Sequence, residues 1–162
     1  SHVLHLPKSA LARLMSNEKV SREELFELAK DKNRNVRALV AENINTPKEI
    51  LEFLAKDKNW IVRKEVAKNL NVSKEILELI AKDEDPDIRE SVAQNPNTSK
   101  EILEFLAKDK DRYVRIFVTK NKNVTKEILE ILAKDEDEDV RDSAAKNLGE
   151  PKESIAYSRI RR

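Results

Sequence analysis

Apolar and polar positions repeat along this chain with a fixed period. The string Ala-Lys-Asp begins at Ala29, Ala55, Ala81, Ala107 and Ala133, always 26 residues apart. A period of this size marks a solenoid, in which each unit buries its apolar face against its neighbours. On this frame the full repeats are 20–45, 46–71, 72–97, 98–123 and 124–149. Residues 1–19 hold a capping half-repeat, and 150–162 hold a second, degenerate one, all within one continuous domain. Ser1-His2, without an initiator Met, reads as the remnant of a cleaved tag.

Each repeat predicts two short helices. In the first, Ile50, Leu51, Phe53, Leu54 and Ala55 make a wide apolar face suited to burial between helices. Thr46 with Glu49 and Thr98 with Glu101 have capping-box spacing, and Pro47 suits a first helical position. Where Val72 or Val124 replaces that Thr, Ser73 or Thr125 is placed to cap one residue later. Glu52/Lys56, Glu78/Lys82, Glu104/Lys108 and Glu130/Lys134 are pairs one helical turn apart on the wet side. The second segment centres on Val62 and Val66, one turn apart and facing the core. It is short enough to be α or 3₁₀. Asn69 and Asn71 follow it, residue types that end helices and tolerate left-handed backbone.

Polar replacements at the ends fit this frame. Glu24 and Glu27 stand where the second repeat has Ile50 and Phe53, and Ser154, Ser158 and Arg159 stand where it has Ile50, Leu54 and Ala55. Terminal repeats need such polar outer faces. A longer period of 52 residues is also present: the stretches from Asn45 and Asn97 end in Ala-Lys-Asp-Lys, those from Asn71 and Asn123 in Ala-Lys-Asp-Glu. Lys58, Glu84, Lys110 and Glu136 thereby alternate in sign at one position, which predicts side-by-side pairing that helps set register.

The pattern Thr-Pro-x-Glu-Ile-Leu-x-x-Leu-Ala-x-Asp, followed by Val-Arg-x-x-Val-Ala-x-Asn, resembles the variant leucine-rich repeat (LRV), over residues 20–149 in five tandem copies. The resemblance implies an all-α solenoid, a right-handed superhelix of alternating α and 3₁₀ helices without β-sheet. A HEAT-like pair of short α-helices is the competing local geometry. Some members carry a Cys-ligated iron–sulfur cluster ahead of the repeats. This chain has no cysteine, so no such cofactor is expected.

Composition then removes most chemistry. The chain has 32 Lys+Arg against 31 Asp+Glu, so no broad basic footprint for nucleic acid is expected. One glycine rules out a Gly-rich phosphate loop, and no cysteine rules out disulfides, a thiol nucleophile or Cys-ligated zinc. The only histidines, His2 and His5, support neither a metal site nor a catalytic triad, so a non-enzyme without cofactor or metal is expected. No apolar run approaches a membrane span and no signal peptide is seen, which points to a cytoplasmic protein. At 39% charged residues, mostly Lys and Glu, the composition is also that of heat-adapted proteins.

Three ladders recur in all five repeats: Arg37, Arg63, Arg89, Arg115 and Arg141; Asp31, Asp57, Asp83, Asp109 and Asp135; Asn43, Asn69, Asn95, Asn121 and Asn147. Identical recurrence suits structure, with each Arg meeting an Asp of its own or an adjacent repeat and each Asn serving as a cap or turn former. The alternative is that the arginines form an anion-binding stripe, as in a HEAT-like nucleic-acid binder. The acidic third and fifth repeats argue against it.

Binding is expected where the repeats differ. Trp60 and Ile61 in the second repeat, and Arg112, Tyr113, Ile116 and Phe117 in the fourth, fall where the third has Asp85, Asp87 and Glu90 and the fifth has Asp137, Glu138, Asp139 and Asp142. Positions that accept Asp are expected to be exposed, and exposed aromatics flanked by charge anchor interfaces. The reading is a non-catalytic scaffold for a protein or peptide partner. Trp60, Tyr113 and Phe117 are its anchors, and Arg34, Lys64 and Arg112 give electrostatic selection. A structural spacer within a longer protein is a third possibility.

Overall fold

A computed structural model describes residues 8–149. The tag-like Ser1-His2, His5 and the half-repeat 150–162 lie outside the described residues. Within them the chain forms eleven α-helices and no strand. A short α1 (Ala10–Met15) precedes five pairs: α2 (Arg22–Leu28) with α3 (Arg34–Glu42), α4 (Lys48–Leu54) with α5 (Trp60–Lys68), and α6 (Lys74–Ile80) with α7 (Pro86–Gln94). The last two are α8 (Lys100–Leu106) with α9 (Arg112–Lys120), and α10 (Lys126–Leu132) with α11 (Glu138–Asn147).

The second helix of each pair is α, nine or ten residues long, not the 3₁₀ segment that the resemblance implies. Its start is fixed by an Asx residue that sequence reading did not single out as a cap. Asn33, Asn59, Asp85, Asp111 and Asp137 each accept the backbone N–H two residues on. The preceding ladder Asp does the same one step earlier, as when Asp109 accepts the Asp111 N–H at 2.8 Å. Asp85 and Asp137 thus have a capping role, one that Asn33 and Asn59 fill without charge. From that start, Val62 and Val66, or Val114 and Val118, fall one α-turn apart and are wholly buried.

The first helices have different caps from those expected. Thr46 and Thr98 do not cap: the N-terminal neighbours of α4 and α8 are Pro47 and Ser99. Both threonines instead turn back, each donating its hydroxyl at 2.6 Å to the carbonyl of Val40 or Val92 at the end of the preceding second helix. Ser99 and Thr125 supply the caps of α8 and α10. A full capping box does exist, at Ser21 and Glu24. Among the described residues the wet face shows no ion pair of the expected Glu–Lys kind either: Glu130 lies 3.9 Å from Lys126, on the other side from Lys134.

The described chain divides into two compact units at Ser73 and Lys74. In the first, α3 packs broadly on α5, while α4 sits against both, and α1 closes the end against α2 and α3. Glu24 is thus not a residue without a neighbour. It takes a two-pronged ion pair from Arg13 of α1. In the second unit α9 packs between α7 and α11, with α8 and α10 wedged against adjacent second helices. The cores are Leu25, Val40, Leu51 and Val62 in the first unit, and Leu77, Ile88, Leu103, Val118 and Leu132 in the second. Each such Leu or Ile contributes about 1.5–3 kcal/mol by leaving water. Gly149 ends α11 with φ +82°, a left-handed geometry that glycine adopts without strain.

Candidate interaction surface

The recurring charges are consumed within the fold. Arg37 grips Asp57 of the next repeat through Nε and Nη2 at 2.8 and 3.2 Å. Arg89 grips Asp109 at 2.7 and 3.2 Å, and Arg115 grips Asp135 at 2.9 and 3.0 Å. The third arm, Nη1, turns inward to the carbonyl of the Asp in its own repeat: Asp31, Asp57, Asp83, Asp109 or Asp135. One guanidinium therefore closes its own turn and clamps the following repeat. The bond to Asp135 holds the pKa of Arg115 above its ordinary value, against the opposing effect of burial.

The Asn ladder also ties repeats together. Asn69 donates to the carbonyls of Ala41 and Asn43 at 2.8 and 3.0 Å, and Asn121 to those of Ala93 and Asn95 at 2.7 and 2.9 Å. Each thus satisfies the orphan carbonyls that end the preceding second helix. These residues are extended rather than left-handed, with φ near −64° at Asn69 and −75° at Asn121. Asn43 and Asn95 accept the N–H two residues on, while Asn147 bonds back to Ser143 within α11.

The alternating charges do not zip as the sequence suggests. No ion pair joins Lys110 to Glu84 or Glu136 among the described residues, and Glu136 instead lies 3.9 Å from Arg115.

The variable residues fall on both units. In the first, Trp60 is 43% exposed at the start of α5, with the Lys64 ammonium 5.8 Å from its ring. Ile61 and Lys64 are half-buried, and Arg34 is exposed at the start of α3. In the second unit Tyr113 is 49% exposed, and Arg112 stacks over it at 4.9 Å while donating to its hydroxyl at 3.0 Å. Arg112 also reaches Asp137 of the next repeat at 3.3 Å. The Tyr113 hydroxyl, and then Asp137, hold the Arg112 pKa above its usual value.

Ile116 and Phe117 are half-buried, with Lys120 5.9 Å from the Phe117 ring. The inference from sibling repeats fails at this position. Ser91 stands there in the third repeat, yet it is buried and donates to the Asp87 carbonyl. A polar sibling here means a satisfied polar group rather than an exposed one.

The more exposed apolar row was hidden inside the first helices. Phe53 is 47% exposed in the first unit; Leu79, Phe105 and Ile131 hold the same repeat position and are exposed in the second. The signal was available: at 100° per residue, Phe53 falls outside the arc shared by Ile50, Leu51, Leu54 and Ala55. Beside Phe53 lies an open groove of about 1000 Å³, lined by α4, by Arg37 and by the turns that follow α2 and α4, with four lysines among its lining residues. No group of three or more His, Cys, Asp or Glu able to hold a metal is found among the described residues. No described helix is long and apolar enough to cross a membrane.

No family model matches the chain, and no curated protein matches it. Among solved structures it is similar to one described as a leucine-rich repeat variant with a novel repetitive protein structural motif, at 29% identity and a TM-score of 0.68. The match covers 88% of this chain and 62% of that one, so this chain spans less than two-thirds of its length. An engineered protein also aligns, at 16% identity over 83% of this chain and 79% of its own, with a TM-score of 0.46. The fold of this chain is an LRV-like, all-α tandem repeat.

Proposed function

We propose that this LRV-like chain is a non-catalytic scaffold that binds a protein or peptide partner through the starts of its second helices. The observation that carries this reading is the exposure of Trp60 and Tyr113 there, each with a cation over its ring. The third and fifth repeats have Pro86, Asp87, Glu138 and Asp139 at those two positions. The repeat does not need an aromatic at either position, and a rigid amphipathic ring is the side chain most often found as an interface anchor. Ile61, Ile116 and Phe117 would extend the apolar contact, while Arg34, Lys64 and Arg112 would favour partner carboxylates.

A phosphate backbone is less well served. Arg37, Arg89 and Arg115 are buried against aspartates and give no free stripe of arginines. Nucleic-acid affinity rests on such free cations and falls steeply with salt.

The test is affinity capture by the wild-type chain and by Trp60→Ser/Tyr113→Ser/Phe117→Ser, with and without nuclease, followed by titration of each captured protein in purified form. A protein that saturates the wild type, is lost by the triple variant and weakens only modestly with salt supports the reading. Binding unchanged in the triple variant, or abolished by nuclease, overturns it.

A further inference from the structure

The outer face of α9 takes its chemistry from the helices on either side. Tyr113, Ile116 and Phe117 make that face apolar, and α9 packs between α7 and α11 of the same unit. The repeat frame sets Asp87 and Asp139 level with Tyr113, and Glu90 and Asp142 level with Ile116. An apolar strip is thus bordered by carboxylates on both sides. Asp87 and Asp139 are exposed and take part in no ion pair among the described residues.

The charge balance at this end of the helices is one-sided. Residues 84–87, 110–113 and 136–139 hold eight carboxylates against two cations, Lys110 and Arg112. Arg112 is already turned to the Tyr113 hydroxyl and to Asp137, 3.3 Å away. The rest of the three helices does not restore the balance. Arg89 and Arg115 are matched by Asp109 and Asp135, and only Lys120, Arg141 and Lys146 stand against Glu90 and Asp142. Lys120 and Lys146 are also distant, seven residues on from Tyr113 and Asp139, or about 10 Å along each helix.

Carboxylates at a helix start offset its dipole, but this fold does not require them. The matching residues of the first unit, 32–35 and 58–61, hold three cations and no carboxylate. Asn33 and Asn59 cap there, where the second unit has Asp85, Asp111 and Asp137. Arg34 and Lys64 therefore carry the preference for partner carboxylates in the first unit, while in the second Arg112 is outnumbered.

The geometry points to this face as a docking site for a basic peptide segment, with one aliphatic side chain against Tyr113, Ile116 and Phe117 and cations on either side meeting Asp87 and Asp139. The inference rests on the reading of Tyr113 and Phe117 as partner contacts and adds the sign of the partner's charge. Complementary potentials of this kind select a partner and speed its encounter.

A fluorescein-labelled peptide of Lys and Arg interrupted by a single Leu is the probe, read by fluorescence anisotropy on the whole chain. Its counterpart has Glu and Asp in place of Lys and Arg. The basic probe should saturate wild type, and the acidic one should not bind. Asp87→Asn/Asp139→Asn should keep the wild-type circular dichroism, since Asn35 holds the same repeat position, and should bind about fivefold more weakly, as the loss of two exposed charge contacts would give. Tyr113→Ser/Phe117→Ser should weaken binding about tenfold or more, as loss of an interface anchor does. Glu78→Gln/Glu104→Gln takes two charges from the first helices of the same unit and should bind as wild type does. The inference is overturned by absent saturable binding of the basic probe, by equal affinity of Asp87→Asn/Asp139→Asn, or by an equal loss in Glu78→Gln/Glu104→Gln. Binding of the acidic counterpart that depends on Tyr113 overturns it too, yet leaves the partner face in place. Basic binding indifferent to Tyr113→Ser/Phe117→Ser overturns that face along with it.

Discussion

Replacing Asp109 by alanine is the sharpest probe of how the repeats are held together. Arg89 and Asp109 are 8% and 7% exposed and share two bonds, at 2.7 and 3.2 Å, while Asp109 also accepts the Asp111 N–H that precedes α9. Asp109→Ala leaves a buried guanidinium with only the Asp83 carbonyl, at 2.7 Å, to replace its water. Stranding one partner of a buried ion pair costs about 3–5 kcal/mol. For a chain of this size that corresponds to a fall in Tm of about 6–20 °C. Urea and thermal melts followed by circular dichroism read it directly. Arg89→Met/Asp109→Leu removes both charges and should recover most of the loss, though not all, because the Asp111 N–H still lacks its acceptor. Arg112→Ala, which breaks an exposed pair, should have a much smaller effect. The reasoning is refuted if Asp109→Ala costs less than ~1 kcal/mol, as an exposed pair would, or if the double variant is no more stable than the single.

Three further expectations follow from single groups. Asn121→Ala removes two bonds to the end of α7 and the acceptor of the Asn123 N–H, and should cost about 2–3 kcal/mol as a lower urea midpoint at unchanged m-value. Thr98→Val keeps the shape of a fully buried side chain but loses its bond to Val92, so a loss of about 1 kcal/mol is expected, with Thr98→Ser retaining the bond. Glu24 is held down to about pKa 2, first by Arg13 and then by the Ser21 N–H. A depressed carboxylate stabilises fully above its unfolded pKa, near ~4.3, and that contribution is lost as pH falls through the folded value. Amide-exchange protection of α1 should therefore decline between about pH 4.5 and 2, and Glu24→Gln should lower it at neutral pH and flatten the dependence.

Much of the architecture was legible because the repeat places the same demand on each copy. Period, helix pairing and the buried Val62 and Val66 follow from apolar spacing, and the role of Arg37 and its equivalents follows from recurrence without exception. Details set by competition between local groups were not legible. Thr46 has two possible acceptors or donors within reach, the start of its own helix and the end of the previous one, and only packing decides for Val40. Phe53 looked like core because four apolar residues crowd a seven-residue helix and a fifth, Ala55, caps it, yet one helix face cannot bury all five. Ser91 shows why substitution between siblings is a poor gauge of exposure when a hydroxyl can bond its own helix. The groove lay outside any single repeat's pattern, because residues of two successive repeats line it.

The Arg–Asp clamps span 20 residues and the Asn bonds 26 or 28, so each described tie reaches no further than the adjoining repeat. Such a bonding pattern maps onto itself when the chain is shifted by one period. A duplication that inserts a whole block gives every new Arg an Asp and every new Asn its carbonyls, without any old pair having to be remade. Length can therefore change by recombination at almost no cost in compatibility, and the 52-residue echo in the sequence is the mark such an event leaves. What remains costly to copy is the irregular part, the few positions where one block has come to differ from the next.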